Sequence, residues 1–352
     1  MFNVIDTTTF QISSDIRQIA LMIILMRAGL NLKISDLKKV GPSALLMCFV
    51  PASFEILGLM ILAPIFLHLD LLNAAILGTV LAAVSPAVVV PLMLKLMDEG
   101  YGTKEGIPQL IMAGASMDDV YVIVLFTSLL TLAKSGEFNA LSLLRIPTSI
   151  LFGIVSGIVI GYVLCKFYRL LKLSTGIELA SMFAIGMVLI TIERMMTGVV
   201  GFSGLLAIMA LTATIRHIKP EMADTYSAVL AKLWQPAEIF LFALVGASVR
   251  IDYALSFGPV VLIVIILALL FRMLGVYLSV MKTKFNSKEK IFTMIAYIPK
   301  ATVQAAIGGL ALEAGLASGE LILTAAVTAI LVTAPLGAIF ISLTYRNFLQ
   351  KA

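Results

Sequence analysis

Asp118 and Asp119 stand side by side in GASMDDVYVIVLF, residues 114–126, a run that is otherwise apolar. Adjacent carboxylates are costly in hydrocarbon, and an ionisable residue inside a membrane segment points to function by default. Four more charged residues share that setting: Glu55 in VPASFE, Arg272 in LLFRMLG, Lys300 in IPKATVQ, and Arg27, which could reach an interface by extending its side chain. Glu238 lies near a segment end and reads as a solvated helix-end charge, with a place at the cytoplasmic funnel as the other reading. Desolvation pushes a buried carboxylate toward its neutral form, and a nearby cation pushes it toward its charged form. Such a group can hold a proton or a small hard cation, and the two compete. Successive helical residues point about 100° apart. One of the two aspartates is therefore expected to face Lys300 and the other a cavity.

Composition identifies the elements that must carry these groups. The chain has 352 residues, 61% hydrophobic and 13% charged, with mean hydropathy +1.08, against about 25% charged in an ordinary soluble domain. It reads as an all-α polytopic membrane protein. Apolar runs long enough to cross a bilayer fall near 14–31, 41–67, 70–97, 107–133, 145–171, 177–195, 201–217, 232–250, 254–281, 289–313 and 321–346, segments A to K. About 11 transmembrane helices are thus predicted, and no signal peptide is expected. Lysines and arginines crowd the loops after A, C, E, G and I and the tail after K, so the positive-inside rule makes those loops and the C-terminus cytoplasmic. The net charge of +5 is explained by these loops, without nucleic acid. Cys48 and Cys165 read as buried thiols, and His68 and His217 as isolated residues rather than a metal site.

Residues 25–46 resemble 242–262: each is an apolar run ending near Ala-Gly or Gly-Ala, then a short polar stretch, then Gly-Pro opening a new run. Seven spans separate the copies, so A–D and H–K are predicted to be inverted repeats with a midplane site between them. Segment C contains SPAVVVP, with Ser85, Pro86 and Pro91. Its counterpart J contains IPKATVQAAIGG, with Pro299, Gly308 and Gly309. Proline removes a donor and clashes with the preceding turn, so both helices are expected to break near the middle, opposite the Asp118–Asp119 pair.

Together SPAVVVP, GASMDD, LWQPAEIFLFALVGA and IPKATVQAAIGG resemble the monovalent cation/proton antiporter superfamily, in particular the bacterial relatives of the NHA-type sodium/proton antiporters, from about residue 12 to 346. The resemblance implies two discontinuous, crossing helices, C and J. It also implies a first helix of a dimerisation domain at 1–40, a core transport domain at 41–134 and 254–352, a linker helix at 135–176 and the rest of the dimerisation domain at 177–253. By the same resemblance Asp119 is the main cation and proton carrier, Asp118 pairs with Lys300, and Glu55 pairs with Arg272 to hold B against I. The resemblance also implies two further helices ahead of segment A; the sequence is expected either to be truncated or assigned a late start, or to belong to a member without them, and this bears on the expected homodimer.

The function implied is a secondary antiporter exchanging Na⁺ or Li⁺ for H⁺ across a plasma membrane of bacterial type, by elevator-like alternating access. A K⁺/H⁺ exchanger on the same fold is the alternative. An organic-anion symporter fits poorly with adjacent acids. An intramembrane aspartyl protease would need carboxylates converging from separate elements, and a channel would not bury Lys300 beside its acids. No nucleotide-binding motif is present, so no cofactor is expected and the ion gradients themselves would drive transport.

Overall fold

The computed structural model describes residues 7–31, 42–135, 145–171, 173–196, 202–248 and 251–351. The described residues form helices throughout, and β structure among them is confined to one bridge, between Tyr101 and Lys351. Two compact units are present. The first contains residues 1–33 and 127–244, the second 34–126 and 245–352.

In the first unit, α1 (Thr7–Leu30), α7 (Arg145–Leu171), α8 (Thr175–Met196) and α9 (Gly204–Ile218) pack together, and most of α10 (Pro220–Ser248) belongs to the same unit. The seam between α7 and α9 is set by Gly153, Gly157 and Gly161, spaced to fall on one face. A methyl at Gly153 or Gly161 would lie 2.8 and 2.7 Å from the carbonyl oxygens of Ser203 and Leu211, and at Gly157 it would strike that of Ala207. Small residues allow such backbone approach where lipid offers no hydrophobic drive to associate. Arg216 is buried and donates to the Leu30 and Pro220 carbonyls and to Asp224, closing the end of α1. Tyr226 donates to Glu178 at 2.7 Å.

The second unit contains α2 (Pro42–Met47), α3 (Val50–Leu67), α4 (Leu71–Ala82), α5 (Pro86–Asp98), most of α6 (Ile107–Ser135), α11 (Ile251–Val280), α12 (Ser287–Ala296), α13 (Thr302–Ile307), α14 (Leu310–Glu313) and α15 (Gly319–Phe348). Two glycines bring α3 against α11. A methyl at Gly58 would lie 2.6 Å from the Phe271 ring, and one at Gly275 would lie 2.8 Å from the Pro51 Cα. Each glycine stands one turn beyond a charged residue, Glu55 and Arg272 respectively. Asp70 caps α4 by accepting from the Asn73 amide at 2.9 Å. Partial burial works against its charge, but the hydrogen bonds from Asn73 together with the Leu72 and Asp70 amides outweigh it and hold the carboxyl below its ordinary value. Below the breaks, Met47, Val89, Met93, Ile111, Phe292 and Tyr345 share one apolar core.

Each predicted segment contains a helix, but the count of eleven spans is not established. Among the described residues seven helical stretches are long and apolar enough to cross a membrane: 42–67, 71–98, 107–134, 151–171, 175–193, 256–280 and 319–348. The apolar parts of α1 and α9 are shorter, at Gln18–Leu30 and Gly204–Ile218. Segment J is divided among α12, α13 and α14, so its continuous helices fall short of bilayer thickness.

Candidate functional site

Every feature of the site lies in the second unit. The chain leaves helical geometry at 83–85, between α4 and α5, and at 297–301, between α12 and α13. Ser85 is the N-cap of α5 and Pro86 its first residue, a position where a missing N–H costs nothing. Pro91, also expected to help break segment C, stays inside α5. Pro299 lies within the second break. The breaks meet directly, since the Ser85 amide donates to the Pro299 carbonyl at 2.8 Å.

Helices that stop in mid-membrane release carbonyls and amides that need partners. At the end of α4 three consecutive carbonyls are satisfied by side chains: Leu81 by Lys300 Nζ, Ala82 by Arg272 Nη1, and Ala83 by Gln304 Nε2 at 2.8 Å. The next amide, Val84, donates to Asp118 Oδ2 at 2.9 Å. At the other break, Arg272 Nε donates to the Tyr297 carbonyl at 2.8 Å, and the Lys300 amide donates to Thr333 Oγ1 at 3.0 Å.

The charged groups form one chain. Lys300 Nζ lies 2.6 Å from Glu55 Oε1, Glu55 Oε2 lies 2.9 Å from Arg272 Nη1, and Arg272 Nη2 lies 2.7 Å from Asp118 Oδ2. All four residues are at most 1% exposed. The Glu55–Arg272 pair is present. The expected Asp118–Lys300 pair is not, because the two-pronged guanidinium of Arg272 occupies Asp118 and leaves the Lys300 ammonium to Glu55. Asp119 is buried next to this chain at 7% exposure. Its Oδ1, like Asp118 Oδ1, Ser85 Oγ, Tyr297 Oη and Gln304 Oε1, has no hydrogen-bond partner among the described residues. Gly114 of GASMDD is required by Tyr297, whose hydroxyl would collide with any side chain there.

Formal charges on Glu55, Asp118 and Asp119 exceed those on Arg272 and Lys300 by one. One proton or one monovalent cation neutralises that excess. A buried carboxylate oxygen without a hydrogen-bond partner, as on Asp118 and Asp119, suits either. Glu238 lies in α10 with its side chain outside the described side chains, and Arg27 belongs to the first unit. Sequence reasoning overlooked Gln304 and Thr333, neutral residues in apolar half-helices. The available signal was a side-chain amide in IPKATVQAAIGG, one turn beyond Lys300 and close to a helix break whose carbonyls need donors.

The family described as "Sodium/hydrogen exchanger, transmembrane" matches residues 1–346. The chain is 35% identical to Sodium/hydrogen exchanger 9B2 of Pongo abelii, over 96% of this chain and 65% of that protein, and 36% identical to the 9B2 protein of Mus musculus, over 97% and 64%. Sodium/hydrogen exchanger 9B1 of Homo sapiens is 35% identical over 96% and 67%. The chain thus spans about two thirds of these relatives' length. They are mammalian, whereas the motifs pointed to bacterial members. Among solved structures, the sodium proton antiporter MjNhaP1 from Methanocaldococcus jannaschii superposes with a TM-score of 0.83 at 18% identity, over 98% of this chain and 88% of that one. That likeness establishes the fold.

Proposed function

Because the chain belongs to the sodium/hydrogen exchanger transmembrane family, we propose that it is a secondary antiporter exchanging Na⁺ or Li⁺ for H⁺ by alternating access. The observation that carries this reading is the single negative formal excess at a buried pair of acids, each with one oxygen that has no hydrogen-bond partner among the described residues. Asp119 is the carrier, its carboxylate taking either the cation or the proton. Asp118 lines the same site while anchored to Arg272 and the Val84 amide. Lys300 and Arg272 hold the remaining charge and stop the acids from attracting more than one ion. Transport follows because binding a second species requires loss of the first, and only the neutralised site crosses the low-dielectric interior without a large charge penalty.

In the same reading A–D and H–K are inverted repeats with C and J as broken counterparts, and the second unit is the transport core. The first unit forms the dimerisation domain, and the C-terminus is cytoplasmic. The test is cation-dependent proton movement in everted vesicles, measured with Na⁺, Li⁺ and K⁺ in turn. Asp119→Asn should abolish it. Full exchange in that variant refutes the assignment, and a response to K⁺ alone replaces Na⁺ as the substrate.

A further inference from the structure

The three carbonyls at the end of α4 are capped by two charged side chains and one neutral one. Lys300 and Arg272 each also bind carboxylates. Gln304 binds none among the described residues. It is fully buried, and its Nε2 stands 2.8 Å from the Ala83 carbonyl and 3.4 Å from the Leu81 carbonyl, which Lys300 also uses. The Ala83 carbonyl and the Val84 amide are the two ends of one peptide group, and a peptide group is a rigid plane. Gln304 therefore holds one end of the plane whose other end donates to Asp118 Oδ2.

We infer that Gln304 is a positioning residue for cation exchange: through the Ala83–Val84 peptide it fixes the amide that orients Asp118, without adding charge to the site. The inference rests on the antiport reading above. An amide suits this place for a definite reason. Lys300 and Arg272 must readjust whenever a proton or cation alters the charge of the acids, because their own attraction to those acids changes. A neutral donor feels that change only weakly, so the peptide plane stays where the next ion needs it. A lysine or arginine here would reach the same carbonyl but would cancel the single negative excess. Hydrogen bonds in line also polarise one another, so an Ala83 carbonyl held by Gln304 makes Val84 the better donor to Asp118.

The test uses the full chain in proteoliposomes, measuring proton movement against Na⁺ concentration for wild type, Gln304→Met and Gln304→Ala. Methionine keeps the length and packing but loses the donor, whereas alanine loses both. The expected result is an apparent KM for Na⁺ raised on the order of tenfold in both variants, with the maximal rate within about twofold and the yield of monodisperse protein unchanged. A wild-type KM in Gln304→Met, with or without a defect in Gln304→Ala, overturns the inference and leaves packing as the role. Failure of both variants to fold overturns it too, by making the residue structural. If the wild type moves no protons against Na⁺, Li⁺ or K⁺, the antiport reading has failed and the inference falls with it.

Discussion

Arg272→Met offers the sharpest test of the buried charge chain. The guanidinium touches Glu55 at 2.9 Å, Asp118 at 2.7 Å, the Tyr297 carbonyl at 2.8 Å and the Ala82 carbonyl. Methionine fills much of the same volume and supplies none of these contacts. Asp118 is then left with the Val84 amide alone, and Glu55 with Lys300 alone. Removing one partner of a buried pair costs about 3–5 kcal/mol, because it leaves an uncompensated charge. The stranded carbonyls would cost about 1–3 kcal/mol more if independent, but they share the same guanidinium, so about 3–5 kcal/mol stands as the working figure. At 1.4 kcal/mol per tenfold, the folding equilibrium shifts by on the order of 10²- to 10⁴-fold. The double variant Glu55→Leu, Arg272→Met removes both charges together and leaves Asp118 free to take Lys300. It should be at least about 2 kcal/mol less damaging than the sum of the two single changes. Denaturant unfolding of purified protein in micelles, applied to all four members of the cycle, measures that coupling. An Arg272→Met cost below about 1 kcal/mol, or strict additivity in the cycle, would refute the chain of pairs as described.

Gly157→Leu should destabilise the first unit by at least about 1–3 kcal/mol through overpacking, seen as a lower melting temperature. Val159→Leu on the exposed side of the same helix should leave the melting temperature unchanged. Asp70→Ala removes a helix cap and should cost about 1 kcal/mol at neutral pH. The carboxyl is held below its ordinary value, so its contribution is present above the unfolded value and lost as pH falls through the folded one; melting curves of wild type and variant should converge on acidification.

Much of this arrangement was legible in the chain because membranes punish ambiguity. Apolar runs long enough to span, and charges too deep to escape, mark both the helices and the residues that need partners. The break before Pro86 and the break around Pro299 were readable from the prolines. Pro91 misled because a proline already inside a helix can be tolerated by its neighbours. The Glu55–Arg272 pair was placed correctly, but Asp118 and Lys300 were not partners. Which buried cation meets which acid depends on the rotation and axial level of α3, α6 and α11, set here by glycines such as Gly58 and Gly275, and one sequence does not specify those angles. Gln304 escaped notice because its importance comes from carbonyls that exist only once α4 has stopped.

The meeting of the two helix breaks, joined by the Ser85 amide and the Pro299 carbonyl, has a mechanical consequence. Its polar backbone groups are served by side chains from α11, α13, α6 and α15 rather than by their own helix. Drawing any one of those elements back by an ångström or two would strand a dipole in a dry interior. Half-shifted arrangements are therefore steeply unfavourable, and the junction behaves like a clasp, either shut or fully released, with little population between.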